Sequence, residues 1–114
     1  MQEALFFWYK MEEKNMNVTI ESIHFNADAK LEEFIQNKVA KLAQVADDII
    51  KAEVYLSLER SQSKNYDSKV AKIRVEVPGA DIFAEKSTKA FEESVDTALE
   101  ALRIQLLKRK EKQK

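Results

Sequence analysis

Residues 70–85, VAKIRVEVPGADIFAE, decide the fold. Ala71, Ile73, Val75 and Val77 alternate with Lys72, Arg74 and Glu76, which is the period of a strand with one face buried. Pro78-Gly79 then closes a tight turn, because proline fixes one dihedral and glycine accepts the positive one that a type II turn requires. Ile82 and Ala84 return inward while Phe83 and Glu85 point outward. The stretch therefore reads as an antiparallel hairpin with a single apolar face. Such a face needs a cover, which the chain on either side has to supply.

Downstream, Phe91, Val95, Ala98, Leu99, Leu102 and Leu106 fall at i, i+4, i+7, i+8, i+11 and i+15, one stripe of a long helix from about Thr88 to Lys110. Upstream, Val54, Leu56 and Leu58 alternate with Glu53, Tyr55, Ser57 and Glu59, and the polar run 60–68 joins this strand to the hairpin as a loop. Val18, Ile20 and Ser22 give a first strand. Asn26 and Asp28 offer capping oxygens, and Leu31, Phe34, Ile35, Val39 and Leu42 recur at helical spacing behind the acidic Glu32 and Glu33, predicting a helix near 28–45. The order is β-α-β-β-β-α. The first helix is a crossover long enough to make the first two strands parallel with the usual right hand, and the later strands connect as antiparallel hairpins. The expected fold is an α+β two-layer sandwich, a four-stranded sheet with both helices on one face. The other face would carry Tyr55, Lys72, Arg74 and Phe83.

The chain has 114 residues, enough for one compact domain. It has no cysteine, hence no disulfide framework, thiolate metal site or cysteine nucleophile. One Gly and one Pro leave no room for a glycine-rich phosphate loop, and the single His24 rules out a histidine metal cluster. As a catalytic base His24 would need a nucleophile and an orienting acid, and the sequence offers neither; a locally bonded loop histidine is the plainer reading. Neighbouring carboxylates such as Glu32/Glu33, Asp47/Asp48 and Glu92/Glu93 point about 100° apart on a helix, so they suit solvated faces better than acid-base work. No acid, base and nucleophile come together, so an enzyme is not expected.

The longest uncharged apolar run, Ala4 to Tyr9, is far short of the roughly 20 residues that span a bilayer. It lacks the basic start and cleavage site of a signal peptide, so a cytoplasmic protein is expected. Regular patterning begins only at Met16. Residues 1–15 read as an upstream or expression-derived extension, and residues 16–114 as the single domain.

The net charge of -1 conceals an asymmetry. Residues 1–59 hold 6 basic and 11 acidic side chains, whereas residues 60–114 hold 13 basic and 9 acidic. From Arg103 to the end, Arg103, Lys108, Arg109, Lys110, Lys112 and Lys114 face only Glu111. Such a run attracts phosphates, and it also simply complements a helix C-terminus. Lys38 and Lys41 lie close together on the first helix, beside the second if both cover one sheet face. On the opposite face, Tyr55 and Phe83 can stack bases while Lys72 and Arg74 meet phosphates; ordinary solubility explains the same residues.

Specific stretches carry a further likeness. They are Ile23-His24-Phe25, Lys38-Val39-Ala40-Lys41-Leu42, Asp47, Ile49, Val54-Tyr55-Leu56, Glu59, Pro78-Gly79, Phe83-Ala84-Glu85, Val95-Asp96, Leu102, Gln105-Leu106 and Lys108-Arg109-Lys110-Glu111-Lys112. In these, over about residues 16–112, the chain resembles the short form of the ribosome hibernation-promoting factor and ribosome-associated inhibitor family, the sigma-54 modulation proteins. The likeness implies a non-enzymatic stress factor without cofactor or metal. Its partners would be the small ribosomal subunit and its ribosomal RNA, with no DNA and no membrane. It would dock between head and body over the sites of messenger RNA and of A-site and P-site transfer RNA. Whether ribosome dimers form, with or without a companion factor, stays open. The acidic tail of the inhibitor subgroup is missing, so the hibernation-promoting subgroup is the nearer match. Ala101 and Ile104 stand where many relatives show Lys and Arg, and Lys89 where an acid is common. Lys38, Lys41, Arg103, Lys108, Arg109, Lys110 and Lys112 are the phosphate candidates this leaves, with Lys86 and Lys89 at the opposite end, Lys72 and Arg74 on the sheet, and His24 besides. The alternative is a protein-interaction module or homodimer acting through the helical layer or the aromatic N-terminal segment.

Overall fold

A computed structural model describes residues 17–23, 25–60 and 68–112. The N-terminal segment, His24 and the middle of the polar loop lie outside the described residues. Four strands, β1 (Asn17–Ile23), β2 (Lys51–Glu59), β3 (Ser68–Val77) and β4 (Ala80–Thr88), form one sheet in the order β1-β2-β3-β4. β1 runs parallel to β2, and the other neighbours are antiparallel. The helices are α1 (Ala29–Ala40) and α2 (Phe91–Lys112). The β-α-β-β-β-α order and the α+β class are those read from the sequence.

Register turns the alternation of each strand into rows across the sheet. Ile20, Val54, Ile73 and Ala84 stand side by side, as do Val18, Ala52, Val75 and Ile82. Both rows face the helices. Between them run Thr19-Glu53-Arg74-Phe83 and Glu21-Tyr55-Lys72-Glu85, on the opposite face. The apolar rows meet Val95, Ala98, Leu102 and Leu106 of α2 and Ile35 and Val39 of α1, all essentially inaccessible to solvent. Gly79 has φ +84° behind a proline that fixes its own φ negative, the combination a type II turn needs.

α1 starts on a side-chain cap, and α2 on a threonine-bonded link. Asp28 Oδ1 accepts from the Leu31 amide at 2.8 Å. Thr88, still in β4, accepts from the Ala90 amide at 3.2 Å and shares a 2.7 Å bond with the buried Ser94 hydroxyl, so α2 begins three residues later than its apolar spacing suggests. α1 also stops short of the expected 45: after Ala40 the chain tightens into a 3-10 turn, Lys41–Gln44, that keeps Leu42 buried. The carboxylates of Asp47 and Asp48 would oppose the negative end of a longer helix. At the far edge of the sheet, Gln105 Nε2 donates to the Phe83 carbonyl oxygen at 3.1 Å, so α2 covers part of the β4 edge as well as the apolar face.

Two substitutions separate packing from backbone conformation. Leu102→Ala removes a fully buried side chain and is expected to lower the unfolding free energy by about 2 to 5 kcal/mol. Gly79→Ala meets no atom within 4 Å but must hold a positive φ, and is expected to cost about 1 kcal/mol. Urea denaturation of both variants checks the ranking.

Candidate nucleic-acid interface

Three contacts fix how the helices lie together. Phe25, just before α1, stacks on Phe91 at the start of α2, with centroids 4.5 Å apart. Near the end of α1, Lys38 Nζ lies 3.5 Å from Asp96 Oδ1. Beyond α1, Asp48 Oδ2 accepts from Arg109 Nη2 at 3.1 Å. Both chains advance together through these contacts, so the helices run side by side in the same direction.

The Lys38–Asp96 pair also marks which side of α2 faces α1. At about 100° per residue, Arg103 and Lys110 return to within roughly 40° of Asp96. Both are exposed, as is Lys41 at the head of the 3-10 turn. Lys41, Arg103 and Lys110 therefore belong to one seam between the helices, toward the C-terminal end of α2. Lys108 and Lys112 lie more than about 100° away from that phase and occupy the outer and far sides. The cations that are contiguous in sequence thus spread around the helix.

Arg109 has a structural occupation. It falls seven residues after Leu102 and three after Leu106, so it continues the buried stripe. Its side chain is only 18% exposed, and it bonds Asp48 and, at 3.3 Å, the Pro78 carbonyl oxygen. Arg109 ties the end of α2 to the loop before β2 and to the β3-β4 turn. Arg103 is joined to Glu100 one turn back at 3.1 Å on the open surface. Lys86 pairs in register with the core residue Ala71 and so shares the helical side, with Lys89 just beyond it in the link to α2. A cleft of about 390 Å³ opens between residues 43–48 and the end of α2, with Asp47, Asp48, Arg109 and Lys110 in its walls. Mixed charge makes it a poor anion pocket.

Lys72 and Arg74 are on the other face of the sheet, separated from the helical cations by the whole core. Arg74 donates to Glu53 Oε1 from Nη2 at 2.7 Å and from Nε at 3.2 Å, with Asp81 3.8 Å away. Tyr55 donates its hydroxyl to Glu53 Oε2 at 2.5 Å, and Lys51 lies 3.7 Å from Glu53 and 3.9 Å from Glu76. The Tyr55 hydrogen bond first, and then the Arg74 pairing, hold the Glu53 carboxyl below the usual glutamate range. The same bond pushes the Tyr55 hydroxyl up. Phe83 is half exposed, and Lys72, in register between Tyr55 and Glu85, is in no ion pair among the described residues. This face is therefore a largely self-neutralised lattice with carboxylates at its edges, unlike the helical seam. The twelve sequence candidates do not form one patch, and His24 lies outside the described residues.

Three contributors were not among them. Asp96 and Asp48 each engage a candidate cation, and Phe34 carries the Lys38 ammonium 5.5 Å from its ring centre. Only the helical phase of Arg109 was available to signal any of this; pairings across the fold leave no periodic trace. Among the described residues, no three His, Cys, Asp or Glu side chains converge on a metal-sized site.

Fold and charge placement define a two-layer α+β domain that presents cations from a helical seam. The chain belongs to the sigma-54 modulation protein / S30EA ribosomal protein family, whose model matches residues 18–114. The resemblance read from the sequence named this family. The fold is that of the Thermus thermophilus Protein Y N-terminal domain, at 22% identity and a TM-score of 0.69, over 82% of this chain and 98% of that one. It is also that of a ribosomal subunit interface protein from Coxiella burnetii, at 20% identity and a TM-score of 0.70, over 83% and 98%. No curated protein matches the chain.

The Glu53 lattice has a pH signature. Because its folded-state pKa is depressed, its contribution to stability is complete above the unfolded-state value near about 4.3 and is lost as pH falls through the lower folded-state value. Denaturation between neutral pH and the acid limb should therefore show a shallower loss for Glu53→Gln than for the parent. Parallel curves would refute the assignment.

Proposed function

We propose that this protein is a ribosome hibernation factor. It docks on the small ribosomal subunit at the decoding region, excludes messenger RNA and transfer RNA by bulk, and so stops translation under stress or in stationary phase. The reading makes it cytoplasmic and non-enzymatic, acting without cofactor. Family membership supports the ribosome as partner, and so does the fold shared with a protein described as a ribosomal subunit interface protein.

The observation that carries the docking face is the convergence of Lys41, Arg103 and Lys110 on one seam. A rigid pair of helices offering spaced cations fits the backbone relief of a folded RNA better than it reads a sequence. Lys108 and Lys112 extend the field around the end of α2, and Lys86 and Lys89 make the second contact region at the opposite end of that helix. Arg74 is left out, since the Glu53 lattice holds it, and Lys72 stands on the far face of the sheet beside Glu85, away from the seam. Arg109 positions the end of α2. Exposed Ile104 and Leu107 favour an additional protein contact along the outer side of the same helix, and association that persists in high salt would identify it.

The triple variant Lys41→Ala, Arg103→Ala, Lys110→Ala is expected to lose about tenfold or more in affinity for small subunits. Its log-log salt slope should be shallower by about 0.7 to 0.9 per lost phosphate contact. Thermal stability should change little, since each side chain is exposed. Co-sedimentation across a salt series reads the affinity, and initiator binding to saturated subunits reads the block. Unimpeded initiator and message binding at saturation would overturn the mechanism. Gradient profiles of stationary-phase ribosomes, with and without the protein, show whether the blocked particles pair.

A further inference from the structure

The seam that gathers Lys41, Arg103 and Lys110 also contains carboxylates. Glu92, Asp96 and Glu100 recur every fourth residue and are all exposed, so they form a ridge along the first half of α2. Asp96 is the member of that ridge that reaches across to α1, where its Oδ1 lies 3.5 Å from Lys38 Nζ. Both partners remain open to solvent, with Lys38 37% and Asp96 51% exposed. A pair this exposed is weak and exchanges readily with another anion. The Lys38 ammonium is held from a second side by the Phe34 ring, 5.5 Å from its centre. Phosphate can therefore replace the carboxylate while the ring keeps the ammonium in place.

We infer that Asp96 is a specificity-determining residue of RNA recognition, a reading that rests on the function proposed above. In the free protein it neutralises Lys38. A flexible single strand such as poly(U) carries imino and 2′-hydroxyl donors but holds none of them fixed beside the phosphate, so it gains that cation at the cost of a displaced carboxylate beside its own negative charge. A folded RNA surface that offers phosphate to Lys38 together with a base amino or imino group, or a 2′-hydroxyl, satisfies both partners of the broken pair. Asp96 thus penalises generic polyanions and spares the matched surface. Lys41 and Lys110 have no such partner among the described residues and supply attraction without this discrimination.

The test compares poly(U) with purified small subunits for the full chain and its variants across a salt series. Asp96→Asn is expected to bind poly(U) about fivefold more tightly at low salt, with a slope steeper by about 0.7 because one more cation releases counterions. Its affinity for small subunits should stay level or fall, so the ratio of the two affinities drops. Asp96→Glu should behave like the parent. In a Lys38→Ala background Asp96→Asn should leave the poly(U) slope unchanged. An unchanged poly(U) slope for Asp96→Asn overturns the inference, as does an equal rise for both ligands. So does a gain that survives loss of Lys38, since that would be bulk charge. If the parent fails to sediment with small subunits even at low salt, the proposed function fails, while the poly(U) slopes still judge whether Asp96 restrains Lys38.

Discussion

The rest of the structure depends on the need to cover one apolar sheet face. The rows through Ile73 and Val75 cannot remain in water, and the stripe from Val95 to Leu106 is what lies on them. Burying that stripe sets the rotation of α2 about its axis, and the rotation then assigns every other side chain on the helix. Gln105 falls at the β4 edge and takes the Phe83 carbonyl. Arg109 falls where the stripe would continue, at the end of the sheet, and closes on Asp48 and Pro78. Arg103 and Lys110 are left on the side facing α1. The charge pattern is thus a consequence of packing, although no charge contributes much to the packing itself.

The same geometry gives the two faces of the molecule different electrostatic characters. On the sheet, cross-strand neighbours are close enough to satisfy one another, and Glu53 collects Tyr55, Arg74 and Lys51. The result is a surface on which Arg74 and Lys51 are engaged and Lys72 is in no ion pair among the described residues. On the helical side, Lys38, Arg103 and Arg109 are paired with Asp96, Glu100 and Asp48, while Lys41, Lys108, Lys110 and Lys112 are in no ion pair among the described residues. A base-stacking sheet and a phosphate-binding seam were both conceivable from composition. The lattice around Glu53 is what favours the seam.

Much of this was legible in the sequence. Alternation in 71–77 and 82–85, the Pro78-Gly79 turn and the spacing from Phe91 to Leu106 were sufficient for the sheet and for the long helix. Helix ends were less legible, because Thr88 still belongs to β4 and bonds the Ala90 amide ahead of α2, and a 3-10 turn finishes α1. For the site, a run of basic residues in sequence suggests a patch, yet successive helical positions diverge by about 100° and the run disperses. The spacing of Arg109 to Leu102 and Leu106 signals its inward turn, although on sequence it stands among the phosphate candidates. Its partner Asp48, and the partner Asp96 of Lys38, carry no such signal, because those contacts join segments that only the completed fold brings together.

The positions that depart from the family resemblance fit the same logic. Ile104 lies on the outer side of α2, about 80° in phase from Asp96 and 44% exposed, whereas Ala101 is half-buried against the core. A cation at position 104 would have put charge on the crest of the helix. In this chain Arg103 and Lys110 carry the charge instead, on the flank that meets α1 and stands next to Lys41. Placing the charge on the flank rather than the crest turns the positive field toward the junction between the two helices. It also places that charge on the same flank as Asp96 and Glu100, with Arg103 about 10 Å along α2 from Asp96 and paired to Glu100.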